Sequence, residues 1–297
     1  VSRRQAHHGI VVRRLTWFHQ DDEWETAMTS ESGAPPADQS ENLTRFTPGQ
    51  PSPARVYDYV LGGKDNYAAD REAAEQVMQV FPEGRDLAWA NRRFMMRAAS
   101  FCAGRVDQVV DIGTGIPTAP NVSEIVHRVR PDAVVVGVDN DPIVLAHDRA
   151  LITGEGVHIR AGDVRRPEQI IESLDGVIDW TRPVALIFVA IMHFVSEQDD
   201  PSGILETFRK ALAPGSLVAL SHVTRDGVNQ KTIDRIETVF GNAPAPLRLR
   251  TTEQIHSLFA GTDLLDPGLV HVQHWRPEGD PEPLIDLRVL GGVGELR

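Results

Sequence analysis

Three aspartates and two glycines stand where a chain could grip a small cationic ligand. In Val109-Val110-Asp111-Ile112-Gly113-Thr114-Gly115 an apolar run ends in an acid and a Gly-x-Gly turn follows. Asp139, with Asn140 beside it, closes the next apolar run, and Asp163-Val164 follows a third after Ala161-Gly162. Gly113 and Gly115 carry no side chain where backbone must approach a ligand closely. The N–H groups of that turn, Thr114 included, could bind a carboxylate or ribose oxygens. Asp139 could accept from both hydroxyls of a ribose. Asp163 could accept from an adenine amino group while the Val164 N–H serves a ring nitrogen. Each acid by itself reads equally well as a helix cap or a strand-end turn residue. Three in order, on three successive strands, favour a nucleoside site.

Asp111 separates two kinds of nucleoside. A carboxylate at the end of the first strand repels a pyrophosphate but suits a sulfonium nucleoside, which brings a positive centre and an amino group. The dinucleotide pattern G-x-G-x-x-G is also incomplete, because its third glycine position is Thr118.

These residues need a scaffold, and the sequence outlines one. From Val106 apolar runs alternate with helical segments: strands at 106–111, 133–139, 157–160, 184–190 and 216–222, with helices at about 119–129, from 141, at 167–174 and at 201–212. Helices at 229–240 and 252–259 follow, then strands at 269–275 and 284–290 joined by a Pro/Glu/Asp loop. Alternation of this kind implies a parallel sheet covered on both faces, and the last two strands suggest an antiparallel hairpin at one edge. The expected fold is therefore α/β: a Rossmann-like, mostly parallel seven-stranded sheet with helices on both faces, an antiparallel C-terminal edge hairpin and an N-terminal helical cap. Ala54–Leu61, Asn66–Val80 and Asp86–Cys102 read as that cap, the first ended by Gly62-Gly63. The chain divides into an unstructured extension (1–50), a cap (51–104) and a core (105–297). Thr29–Pro53 is rich in Ser, Pro, Gly, Glu and Gln and cannot bury enough apolar surface to offset its ordering entropy.

The series Asp111-x-Gly113-x-Gly115, Asp139 and Gly162-Asp163, with Leu212-Ala213-Pro214-Gly215-Ser216 before the fifth strand, resembles the motifs of class I S-adenosylmethionine methyltransferases. More closely, the chain resembles an S-adenosyl methyltransferase family frequent in actinobacteria and long known as a domain of unknown function. Pro51-Ser52-Pro53-Ala54-Arg55-Val56-Tyr57-Asp58-Tyr59, Gly62-Gly63-Lys64-Asp65-Asn66, Asn91-Arg92-Arg93-Phe94, His193-Phe194-Val195 and Gly291-Gly292-Val293-Gly294 carry that likeness. It spans Pro51 to the C-terminus and implies S-adenosyl-L-methionine as donor and S-adenosyl-L-homocysteine as product. The chain departs from the wider class at Pro117, where a third glycine often lies.

Methyl transfer from an activated donor is mostly positioning, and a base is needed only where the acceptor must lose a proton. His193 after the fourth strand and His222 at the end of the fifth could each serve as that base; either could equally be a structural histidine. The front segment offers a lid, with Tyr57 or Tyr67 packing on the donor, Lys64 or Asn66 contacting its carboxylate, and Gly63 among the donor-binding residues; it reads also as a capped helix end. Asn91 and Arg92 are further donor candidates, and helix 229–240 is placed to cover an acceptor. His193, Glu197, Asp199, Asp200 and His222 do not follow a metal-ligand spacing, so no metal is expected.

A formal charge of −12 argues against a nucleic-acid partner and for a small-molecule acceptor. No apolar run approaches the ~20 residues that span a bilayer. A single cysteine, Cys102, excludes an internal disulfide and fits a cytoplasmic location. Two other functions share these features. An NAD-dependent oxidoreductase would use the same glycine turn and Asp139 but lacks a Tyr-x-x-x-Lys pair here. A sensor or interaction protein could keep the nucleoside site without turnover.

Met28 opens Met-Thr-Ser-Glu-Ser and makes a reasonable start, with residues 1–27 then upstream of it. Peptide mapping of the natural N-terminus should find no peptide upstream of Met28; one such peptide refutes this start.

Overall fold

The computed structural model describes residues 49–240, 246–284 and 287–297. The expected unstructured extension lies outside them except for its last two residues.

Each helix begins where its sequence supplies a start. Pro53 at the first turn opens helix α1 (Pro53–Leu61), and Gly62 at φ 91° closes it. Helix α2 (Ala68–Val80) begins after Tyr67, whose N–H donates to Asp70 Oδ2 at 2.8 Å. Helix α3 (Gly84–Ala103) buries Leu87, Ala90, Asn91, Phe94, Met95, Ala98 and Cys102 on one face, the period of an amphipathic helix. Strand β1 (Gln108–Ile112) leads to helix α4 (Val122–Val129), which opens with a reciprocal Asn121–Glu124 capping box. Strand β2 (Val134–Asp139) leads to helix α5 (Pro142–Leu151), capped by Asp141 through Ile143 N–H. Then come β3 (Val157–Ala161), α6 (Pro167–Ser173), β4 (Ala185–Phe188), α7 (Pro201–Ala211) and β5 (Leu217–Thr224). Helices α8 (Gln230–Phe240) and α9 (Thr252–Ser257) precede β6 (Thr262–Leu264), β7 (Val270–His271) and β8 (Arg288–Leu296).

The strands pair in the order β3-β2-β1-β4-β5-β8-β6, with β7 also against β8. The first five are parallel, and β8 runs antiparallel to β5, β6 and β7. The strand order reverses between β1 and β4, and in such sheets ligands bind at that reversal, beyond the carboxyl ends of the strands. One apolar cluster packs α3 and α4 on one face, and another packs α6, α7 and α9 on the other.

The class is as expected, and two details differ. Among the described residues the sheet has eight strands, not seven. Instead of a hairpin of 269–275 with 284–290, only Val270–His271 is extended before a 3₁₀ turn at Val272–His274 that buries Trp275 completely. The last strand lies further on and inserts between β5 and β6. The glycines at 291, 292 and 294, which look like a terminator, are places of close approach. A Cβ on Gly291 would stand 2.7 Å from the Phe94 ring, and one on Gly294 would strike Thr262. Helix α3 also belongs to the core, since Phe94, Met95, Ala98 and Cys102 share a cluster with β1, β4 and β5 residues. Only α1 and α2 form a layer apart, with Val60, Leu61 and Ala74 packed on Ala88.

That outer layer is tied to the sheet by buried charge. Arg55 Nε donates to Asp70 Oδ2 and its Nη1 to Asp141 Oδ2, each at 2.9 Å, and Ser52 Oγ donates to Asp141 Oδ2 at 2.7 Å. No described helix is long and apolar enough to cross a membrane.

Gly291→Ala should destabilise the fold by about 1–3 kcal/mol through overpacking on Phe94. Thermal unfolding checks this, and an unchanged Tm would mean that the ring yields without cost.

Candidate functional site

A cavity of about 870 Å³ opens beyond the carboxyl ends of β1, β2 and β4 and runs beneath α1, α2 and α3. Its size falls within the ~300–1,000 Å³ typical of small-molecule sites. Of the residues singled out in the sequence, Tyr57, Asp111, Gly113, Thr114, Gly115, Asp139, Asn140, Asp163, Val164 and His193 line it. Gly63, Lys64, Asn66 and His222 do not.

The glycine turn takes its shape from β2. Gly113 and Gly115 have φ 79° and 65°, the left-handed region that glycine tolerates best. Gly113 N–H donates to Val138 O at 2.8 Å, Thr114 N–H to the same oxygen at 3.3 Å, and Gly115 N–H to Asp139 Oδ2 at 3.0 Å. The turn's amides are thus engaged within the protein, contrary to the expectation that they await a ligand. The bare Cα of Gly115 remains: a Cβ there would meet nothing within 4 Å, so the backbone itself forms cavity wall. Arg92 on α3 fixes the far end of the loop, donating to Pro120 O at 2.9 Å and to Thr118 O.

Three carboxyl groups gather around this turn. Asp111 is half-buried and Asp139 is buried, its Oδ1 accepting from Asp141 N–H at 2.9 Å. The third, Asp148, is fully buried on α5 and accepts from Thr114 Oγ1 at 2.7 Å, while its Oδ1 has no partner among the described residues. Burial, and then the charge of Asp139, push Asp111 up to about 7. Burial pushes Asp139 up to about 6 against its backbone hydrogen bonds. Asp148 rises to about 7 through burial, with Asp139 and Asp111 adding repulsion and Thr114 opposing. The cluster lacks enough positive charge of its own, and a cation would relieve it.

Asp148 escaped the sequence reading, although a signal existed. Asp141, Val144, Leu145 and Asp148 fall at i, i+3, i+4 and i+7, so an acid lies on the buried stripe of α5.

Asp163 is placed as expected but is already engaged. Arg165 Nε donates to its Oδ1 at 2.9 Å and to its Oδ2 at 3.0 Å, and Arg165 N–H donates to Oδ1 at 3.0 Å. Burial pushes its carboxyl up, but the bonds and charge of Arg165, with Asn140 adding to them, hold it below the usual carboxylate range.

The two histidines part ways. His193 lies on the 3₁₀ turn Met192–Phe194, lines the cavity and leaves its buried Nδ1 without a partner among the described residues. Burial, and then the charge of Arg250, depress it to about 3, so the ring is neutral at physiological pH. His222 is fully buried behind it, the ring centroids 5.6 Å apart. Arg250 Nη1 donates to its Nε2 at 2.6 Å, which leaves the Nδ1–H to donate to Val223 O at 2.8 Å. With both nitrogens engaged and no face on the cavity, His222 is not placed to act as a base. It positions Arg250, which holds the loop around His193 by donating to Met192 O at 3.0 Å, Val195 O at 2.9 Å and Glu197 Oε1 at 2.9 Å. Arg250 was not singled out in the sequence, where it is one of several arginines after helix α8.

The front loop is also corrected in part. Tyr57 OH donates to Ala88 O at 2.9 Å and its ring lines the cavity. The Gly-Gly-Lys-Asp-Asn turn instead folds around Asp58, whose Oδ2 accepts from Asp65 N–H at 3.0 Å and Asn66 Nδ2 at 2.8 Å. Gly63 is required there because a Cβ would stand 1.9 Å from Asp58 Oδ1. Lys64 is exposed. Asn91, buried on α3, lines the cavity, and its Oδ1 has no partner among the described residues.

Comparison with known proteins bears on this geometry. Residues 39–297 match the family model described as S-adenosyl methyltransferase. The chain belongs to this family. A Streptomyces avermitilis protein of the DUF574 family is 36% identical, with a TM-score of 0.79 over 84% of this chain and 98% of that one. A candidate methyltransferase from Thermobifida fusca is 34% identical, with a TM-score of 0.78 over 84% of this chain and 96% of that one. Comparison with curated proteins gives no match. The enzyme is an S-adenosylmethionine-dependent methyltransferase, and the site fits its donor: carboxyls short of positive charge, an unpartnered Asp148 oxygen and a bare-backbone wall at Gly115.

Donor affinity should depend on pH in a definite direction. Below about 6 the three acids are largely neutral; as pH rises through about 6 to 7 they ionise and attract a cation. S-adenosylmethionine should bind more tightly as pH rises through that window, by up to about tenfold per pH unit for each proton released. S-adenosylhomocysteine, without the sulfonium, should respond less. Calorimetry in buffers of different ionisation enthalpy checks this; equal pH slopes for the two ligands would refute it.

Proposed function

We propose that this methyltransferase modifies a small-molecule acceptor held beside His193, with Asp111, Asp139, Asp148 and Gly115 gripping the donor. The observation that carries the reading is the cluster of three carboxyls with raised pKa at the reversal of the sheet. A pyrophosphate in the same place would add negative charge to it, which disfavours an NAD-dependent reading. When bound, the donor supplies an electrophilic methyl group on a positive sulfur. Asp111, near the turn, faces that charge; Asp139 accepts from the ribose hydroxyls. Asn140 and Val164 flank the adenine with Asp163, whose carboxylate stays ionised under Arg165. Tyr57 and Asn91 close the cavity from above and exclude water.

His193 orients the acceptor. A neutral imidazole depressed to about 3 accepts a hydrogen bond but retains a proton poorly. The nucleophile that suits such a site needs little help in losing its proton. The exclusion of nucleic acid rests on the acidic charge of the chain, −12 at neutral pH.

Titration calorimetry should show S-adenosylmethionine and S-adenosylhomocysteine binding while NAD does not. Asp139→Ala should weaken donor binding about ten- to hundredfold, the loss expected for charge-assisted hydrogen bonds. Binding of NAD, or full donor affinity in the variant, overturns the assignment. Tight donor binding without methyl transfer to any acceptor in a cell extract would favour the sensor reading instead.

A further inference from the structure

The residues that line the cavity fall into two groups of opposite character, here a donor arm and an apolar arm. The donor arm carries the aspartates. The other arm is walled by Phe81 of the α2–α3 turn, Leu87 and Met95 of α3, Phe194 beside His193, Leu247 after α8 and Val289 of β8. Phe81, Leu87, Met95, Leu247 and Val289 belong to one continuous apolar cluster, and Phe194 packs against it. Val223 lines the arm too and pairs in register with Val289 across β5 and β8. Of the arginines that line the cavity near these residues, Arg92 donates to the carbonyls of Thr118 and Pro120, and Arg248 is exposed. A charged acceptor entering here would shed its hydration with no counter-ion inside. His193, which lines this arm, has its Nδ1 buried and unpartnered among the described residues, as is the Oδ1 of Asn91 on α3. Both Arg248 N–H, donating to His193 O at 2.7 Å, and the Arg250 loop contacts hold that imidazole in place.

We infer that the methyl acceptor is an uncharged aromatic compound that lies between Phe81, Met95, Phe194, Leu247 and Val289 and donates one hydrogen bond, from a hydroxyl or ring N–H, to His193 Nδ1. The inference rests on the methyltransferase reading and names the acceptor class for the same site. Aromatic walls at Phe81 and Phe194 favour a flat ring over a flexible chain. The neutral His193 ring supplies a lone pair without a charge, which suits a neutral donor group and not a carboxylate. The hydrogen bond fixes the ring's orientation next to the donor arm, as positioning catalysis requires.

The test measures binding by calorimetry to the full chain saturated with S-adenosylhomocysteine. The probes are 2-naphthol and 4-phenylphenol, set against their carboxylate counterparts 2-naphthoate and 4-phenylbenzoate. The neutral probes should bind at least about tenfold more tightly than the acids, and His193→Phe should weaken 2-naphthol by about three- to tenfold, the loss of one hydrogen bond. Phe194→Leu should weaken both neutral probes while leaving S-adenosylhomocysteine affinity unchanged, which also reports that the variant is folded. Equal or tighter binding of the acids, no binding of the neutral probes, or indifference to both substitutions overturns the inference while the donor site stands. Failure of S-adenosylhomocysteine itself to bind overturns the donor reading, and the inference falls with it.

Discussion

Carboxyl groups crowded at the mouth of a parallel sheet repel one another, and the protein spends much of its local structure holding them there. Asp139 is braced by the amides of Gly115 and Asp141, and Asp148 by the Thr114 hydroxyl. Asp141, which caps α5, is itself neutralised by Arg55 reaching down from α1. The glycine turn, the start of α5 and the outer helices are therefore parts of one electrostatic arrangement. Its unmet demand for positive charge is directed into the cavity, where a sulfonium nucleoside answers it.

Behind His193 lies a second buried arrangement. His222 and Arg250 form a hydrogen-bonded pair that touches no ligand but fixes three successive points of the loop carrying His193. The Arg250 charge is spread over backbone carbonyls, a histidine nitrogen and the exposed Glu197, so it is satisfied without a buried carboxylate beside His193.

The sequence disclosed local chemistry well and long-range contacts poorly. Strands β1 to β5 are short apolar runs bounded by glycine, proline or an acid, and Asp111, Asp139 and Asp163 stand at their ends; period and punctuation sufficed to find them. The Gly63-Lys64-Asn66 segment misled because its glycine answers to Asp58 a few residues back and not to a ligand. His222 misled because position on a strand says nothing of which partner takes its lone pair. Asp148 was legible in the buried stripe of α5 and was passed over, whereas Arg250 becomes visible only when distant segments meet, and β8 was misplaced because its glycines mark where Phe94 and Thr262 press against the strand. Tertiary packing decides such cases, and no window of neighbouring residues contains it.

The place of β8 separates the two halves of the enzyme in another sense. The donor half is made of β1, β2 and β3 with their crossover helices, each pairing with a strand close to it in the chain. The other half relies on one distant segment, β8, that is simultaneously the partner of β5, β6 and β7. Assembly of the first half needs only short loop closures, whereas the second brings remote parts of the chain together at a greater cost in loop-closure entropy. Substitutions in the last strand and its neighbours can thus reshape the Val289 wall of the cavity while the nucleoside half keeps its form.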